Sequence, residues 1–207
     1  MNIDTTIDEK IALYGDKGGI GNTIQLYFAL GNTKHEKVVT HSKRVALLSE
    51  ETARRIKKDS KAAFLGAIFH DIGKLKLPSK FFEDGVVINQ EEYAYLKTHA
   101  VEGFEILKKI HPFSALCAGL HHAVYTNGYG IKTNDIPEFF GMNTVKDAFD
   151  TTLIISVCDF IDAATHRTTS MMDKGEATDL EEKLKEKYHN DYPVVETALL
   201  VKSDLQI

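Results

Sequence analysis

The stretch Ala67-Ile68-Phe69-His70-Asp71-Ile72-Gly73-Lys74 closes an apolar helical run with an imidazole and a carboxylate side by side. Neighbouring positions on a helix diverge by about 100°, so His70 and Asp71 are poorly placed to share one hydrogen bond. Both can reach a metal ion lodged where the helix end meets its neighbours, provided that other elements bring further donors. The rest of the chain is therefore read for those donors.

Upstream, the pattern turns helical from Val38, with Val38, His41, Val45, Leu48 and Thr52 on one face and Lys43, Glu50, Arg54 and Lys57 largely elsewhere, so His41 faces inward. Residues 61–70 form a short apolar helix carrying Phe64, Leu65, Ile68 and Phe69, stopped by Gly73 and Pro78, and residues 75–89 read as loop. A helix is expected over 90–110, with Tyr93, Leu96, Ala100, Gly103 and Leu107 as its apolar face and His99 beside it. Pro112 suits a new helix start, and that segment ends in His121-His122.

Residues 123–143 make a long loop, of the kind that carries function. The most apolar helix spans 144–165, with Asp159 in its middle, and the tail over 176–207 reads as two more helices. No strand pair emerges, and the expected class is all-α.

With 207 residues the chain is long enough to bury a full core. Its formal charge of -5 argues against a nucleic-acid-binding surface, although a bound cation can supply local positive charge for a nucleotide substrate. Cys117 and Cys158 are isolated in apolar helices and read as core filler, not as a disulfide or a thiolate site. No leader pattern and no run approaching the ~20 apolar residues of a membrane span is present, so a cytoplasmic location without membrane attachment is expected. The Gly-rich segment Lys17-Gly18-Gly19-Ile20-Gly21-Asn22-Thr23 has Asn22 where a phosphate loop needs Lys, and reads as a turn.

His41, His70 with Asp71, His99, His121 with His122, and Asp159 thus arrive from separate helices into apolar settings. Each alone admits a plain structural reading; Asp159, for example, would pair with Arg44 or Arg167. A carboxylate inside an apolar helix costs several kcal/mol unless paired or metal-bound, and five such problems arise together here. Imidazole and carboxylate without sulfur suit Fe, Mn, Co, Ni or Zn. Seven ligands exceed one tetrahedral ion but match two ions ~3.5–4 Å apart that hold a hydroxide and clamp a phosphate during in-line displacement. Lys74, just beyond the pair, would offset phosphate charge. His35, His111, His166 and His189 are assigned to turns or polar helix ends without partners.

In order, Thr40-His41-Ser42-Lys43-Arg44, His70-Asp71-Ile72-Gly73-Lys74, Lys97-Thr98-His99 with Gly103, His121-His122 and Asp159-Phe160-Ile161-Asp162-Ala163 resemble the HD superfamily of metal-dependent phosphohydrolases, and more narrowly its HD-GYP branch. The resemblance covers about residues 37–167 and implies an HD-domain helical bundle over 37–207, with 1–36 as an N-terminal extension. It implies one ion on His41, His70, Asp71 and Asp159, and another on Asp71, His99, His121 and His122. Lys74 would bind the scissile phosphate, with Arg44 also on the substrate. Fe or Mn is the implied metal, and cyclic dinucleotides such as cyclic di-GMP the implied substrate class.

Three departures accompany it. The loop after the paired histidines has Ala123 in place of Glu and Gly130 in place of Pro, in Gly128-Tyr129-Gly130, and is one residue shorter. Lys37 stands where some members carry an acid for a third metal, so two ions are expected. Thr165-His166-Arg167-Thr168-Thr169 replaces a Ser-x-Arg-x-Tyr-Arg pattern. The alternatives kept beside this reading are a mononucleotide phosphatase and a non-catalytic, metal-stabilised nucleotide sensor.

Overall fold

The computed structural model describes residues 2–15, 19–166, 180–188 and 191–207. Lys17, Gly18, Arg167, His189 and residues 176–179, on which parts of the sequence reading fell, lie outside these. The described helices are α1 (Ile3–Tyr14), α2 (Ile20–Arg55), α3 (Ser60–Phe69), α4 (Gln90–Lys97), α5 (His99–Leu107), α6 (Pro112–Leu120), α7 (Met142–His166), α8 (Leu180–Lys187) and α9 (Tyr192–Leu205). Short 3-10 turns occupy Ile72–Lys76, Ser79–Phe82 and Thr133–Asp135, and no strand occurs among the described residues. The protein is all-α.

α3 and α6 are the central pair. Each is apolar around its whole circumference, with residues 63–69 and 114–120 buried, which is the pattern of a helix enclosed by others. α2, α5 and α7 pack around them. The close approach depends on Gly66, where a Cβ would come within 2.8 Å of both Cys117 Sγ on α6 and Ile155 Cδ1 on α7. Cys117 and Cys158 are buried and free, as core residues.

Both central helices start on satisfied caps. The Asp59 carboxylate accepts from Ala62 N at 2.9 Å, and His111 Nδ1 accepts from Ser114 N at 3.2 Å with Pro112 in the first turn.

The sequence reading needs correction in four places. The helix expected from Val38 begins at Ile20 and kinks at His35, whose φ of -148° and ψ of 62° break the helical path. His35 is buried there, with Nε2 on the Leu77 carbonyl at 3.1 Å and its ring edge against Phe82, so it is neither partnerless nor at a polar end. The helix expected over 90–110 is two helices, broken at Thr98 because side chains take carbonyls from the last turn of α4. The Thr98 hydroxyl donates to the Tyr95 carbonyl at 2.7 Å, and His99 Nδ1 lies 2.7 Å from the Leu96 carbonyl. The expected loop over 75–89 contains a 3-10 turn that buries Phe81.

α1 lies on α2, with Ile7 and Ile11 in the same core as α3 and α6. Lys10 and the Tyr14 hydroxyl both meet Glu50 on α2, and Lys43 reaches Asp4.

Candidate metal centre

The centre forms where helices end. His70 and His121 are the residues that close α3 and α6, and His99 follows the close of α4. A helix end leaves carbonyls without an intrahelical donor, and each of these histidines supplies one from its own ring. His70 Nδ1 donates to the Ala67 carbonyl at 2.7 Å, His99 Nδ1 to Leu96 at 2.7 Å, and His121 Nδ1 to Ala118 at 2.8 Å. A carbonyl can only accept, so Nδ1 carries the proton in all three. In the neutral ring Nε2 is then a bare lone pair, and all three lone pairs turn toward Asp71.

Asp71 sits between two groups of rings. Its Oδ1 lies 3.3 Å from His99 Nε2 and 3.8 Å from His121 Nε2, while Oδ2 lies 3.4 Å from His70 Nε2 and 3.6 Å from His41 Nε2. Lys74 Nζ pairs with Oδ2. His41, from α2, places Nε2 3.0 Å from Asp159 Oδ1 on α7. His122 engages the Tyr125 hydroxyl through Nδ1 at 3.1 Å, and Tyr129 lies over its ring with centroids 4.4 Å apart.

Three trios have ligand atoms mutually within 4.8 Å: His99 with His121 and His122, His41 with His70 and Asp71, and His70 with His121 and Asp159. All seven residues expected to act as ligands fall within them.

Several buried atoms here have no hydrogen-bond partner: His41 Nε2, His70 Nε2, Asp71 Oδ1 and Asp159 Oδ1. His99 Nε2 and His121 Nε2 face each other at 3.3 Å, yet both rings have committed their proton to a carbonyl. Two acceptors pointed at one another are repulsive unless a cation lies between them. Burial drives the same conclusion, holding His99 down to about 4 and His121 to about 3, so both rings are neutral at ordinary pH. His122 is also held well below its usual range by burial.

Burial pushes the Asp71 carboxyl up, but Lys74 and the surrounding His70 and His99 outweigh it and hold it well below the usual range. For Asp159 the opposing weight comes from His41. His41 itself is raised, because Asp159 and Asp162 outweigh the cost of burying its charge. The donor set, with the neutral rings of His99, His121 and His122, its anionic carboxylates and its orphaned atoms, fits divalent ions.

Arg44 is engaged by a carboxylate of the chain itself. Its guanidinium forks onto Asp162, Nε to Oδ1 at 2.6 Å and Nη2 to Oδ2 at 2.9 Å, and it does not pair with Asp159. Asp162 Oδ2 also accepts from His41 Nδ1 at 2.6 Å, and His166 Nδ1 lies 3.1 Å from Oδ1, so His166 has a partner too. Asp162 was given no role by the sequence reading; its spacing of three from Asp159 along one helix face was the available signal. Gly73, read from the sequence only as a helix stop, does more: a Cβ there would stand 2.0 Å from the His99 carbonyl oxygen, so only glycine lets the 72–76 turn seat Asp71 against α5.

A family model described as HD domain matches residues 38–184. The chain is 31% identical over 118 residues to 3'3'-cGAMP-specific phosphodiesterase 3 of Vibrio cholerae, covering 53% of this chain and 26% of that protein. It is 26% identical over 158 residues to the cyclic di-GMP phosphodiesterase of Thermotoga maritima, covering 72% and 42%. The chain thus spans less than half the length of either relative. In fold it is similar to the HD domain of the L. monocytogenes phosphodiesterase PgpH, with a TM-score of 0.59 at 19% identity over 87% of this chain and 99% of that one. A second structure of that domain, in complex with cyclic-di-AMP, gives a TM-score of 0.58. No helix among the described residues is long and apolar enough to cross a membrane.

Proposed function

This chain belongs to the HD domain family, and from that premise we propose that it is a metal-dependent phosphodiesterase of the HD-GYP type acting on a cyclic dinucleotide. The observation that carries the reading is the carboxylate of Asp71, whose two oxygens each face a different pair of imidazole Nε2 atoms. That arrangement would suit a bridge between two divalent ions, with Fe or Mn implied by the resemblance to the HD-GYP branch. His41, His70 and Asp159 would complete one position, and His99, His121 and His122 the other. Bound there, two ions supply acidification of water near neutral pH and charge relief for a phosphodiester.

The chain's own residues do the rest. Asp71 is anionic in a dry setting and fixes the spacing between the two halves. The carbonyl-bound rings are locked in one tautomer and orientation, so no reorganisation is needed when the site fills. Lys74 is buried beside Asp71, and its ammonium would meet a non-bridging phosphate oxygen and offset its charge. Residues 37–207 make up the phosphohydrolase domain in this reading, and 1–36 an extension packed on it. The substrate class is supported by the relatives, whose names specify cGAMP and cyclic di-GMP.

One observation favours a smaller substrate. The loop after His122 carries Ala123 and Gly130 in place of the Glu and Pro of the HD-GYP pattern, so contacts to a second nucleotide differ. The test is hydrolysis by Mn- or Fe-loaded protein of cyclic dinucleotides, linear dinucleotides and mononucleotides. Cleavage of a cyclic dinucleotide is the expected result. Turnover of mononucleotides alone selects the phosphatase alternative, and metal uptake without turnover of any ester selects the sensor.

A further inference from the structure

The five imidazoles at the centre are not held alike. His70, His99 and His121 donate Nδ1–H to neutral backbone carbonyls, and His122 meets a phenol. His41 alone is backed by a carboxylate, Asp162, at 2.6 Å. A carboxylate that accepts the Nδ1 proton draws it away from the ring and leaves more electron density on Nε2, the atom that would bind metal.

Asp162 is built to keep that influence. Its side chain is 1% exposed, Arg44 clamps both oxygens, and His166 lies 3.1 Å from Oδ1. The Arg44 fork fixes the carboxylate plane and stabilises its charge where water cannot. Asp159 Oδ1 lies 3.0 Å from His41 Nε2, although Asp159 also groups with His70 and His121, so the difference between the two positions rests on the support behind His41.

We propose that the two metal positions are unequal by construction: Asp162, clamped by Arg44, makes His41 the strongest imidazole donor, so the position on His41 fills first and empties last. This rests on the dinuclear reading above. Arg44 and Asp162 are then positioning residues acting through His41, and the weaker position is the one sensitive to the supply of metal.

The experiment is a titration of the metal-stripped full chain with Mn(II), with free Mn(II) read from its electron paramagnetic resonance signal. Wild type is expected to take up two ions in steps separated by about 10-fold or more in affinity. Asp162→Asn should weaken the tight step by about 10–100-fold and leave the weak one in place, so that the steps merge. His99→Ala should remove the weak step and spare the tight one. Circular dichroism checks folding, and if D162N does not fold, Arg44→Gln keeps the His41 hydrogen bond but loosens Asp162, with an expected loss of up to about 10-fold in the tight step alone. Two equal steps in wild type, or variants that shift both steps together or neither, overturn the inequality while leaving a dinuclear centre standing. A wild-type chain that takes up no Mn(II) overturns the dinuclear reading and this inference with it.

Discussion

α3 and α6 have two kinds of end. At their starts, Asp59 and His111 cap free backbone N–H groups. At their finishes, His70 and His121 satisfy a carbonyl with one ring nitrogen, while the other nitrogen of His70 and Oδ1 of the adjoining Asp71 are buried without a partner. The same two helices are therefore locally complete at one end and electrostatically incomplete at the other. Folding tolerates such a deficit only where something outside the chain relieves it, and the placement of the deficit marks the site without reference to any relative.

The largest effect should come from removing the shared carboxylate. Asp71→Asn keeps the shape and a partner for Lys74 but makes a poor bridge, so phosphodiester turnover should vanish and bound metal fall below two ions per chain. Wild type at a metal concentration about 100 times Kd should gain about 2.7 kcal/mol, a rise of about 5–10 °C in Tm. D71N should lose most of that rise. A variant that kept both ions and the full shift would erase the distinction between the two ends.

Lys74→Ala separates scaffold from chemistry within the incomplete end. If Lys74 meets the phosphate, turnover should fall by about 10²–10³ while two ions are retained, as seen by hydrolysis rate beside elemental analysis. Loss of metal instead would reduce Lys74 to a counter-ion for Asp71.

Gly73→Ala tests how the end is assembled. The new methyl would overlap the His99 carbonyl, so the turn and α5 must part, at a cost of about 1–3 kcal/mol. Metal affinity should weaken most at the position using His99, measured by the same titration, and a variant with unchanged uptake would show the approach to be mere packing.

How far the chain could be read in advance follows the same division. That the seven residues would cluster was legible because His and Asp in apolar helical runs are costly alone and less so together. The tautomers were not, since they depend on which carbonyl each ring meets at a helix end. Asp162 escaped notice because its role runs through His41, far away in sequence. The fork of Arg44 onto Asp162 was hidden for the same reason, since the two residues stand 118 positions apart in the sequence. The single helix expected over 90–110 concealed the break at Thr98, whose cause is side-chain capture of carbonyls that propensity does not register.

The smallest effect is expected at the complete end. Asp59→Ala removes one hydrogen bond to Ala62 N and leaves nothing else exposed, a loss of about 1 kcal/mol. For a chain of this length that is a fall of about 2–4 °C in Tm, read by thermal melting with and without Mn(II). The rise on adding metal should be the same as in wild type, and turnover should not change, because the cap and the centre lie at opposite ends of a rigid helix and share no partner. A D59A variant that lost metal affinity would mean that α3 transmits its starting geometry to His70, and that the two ends are not independent after all.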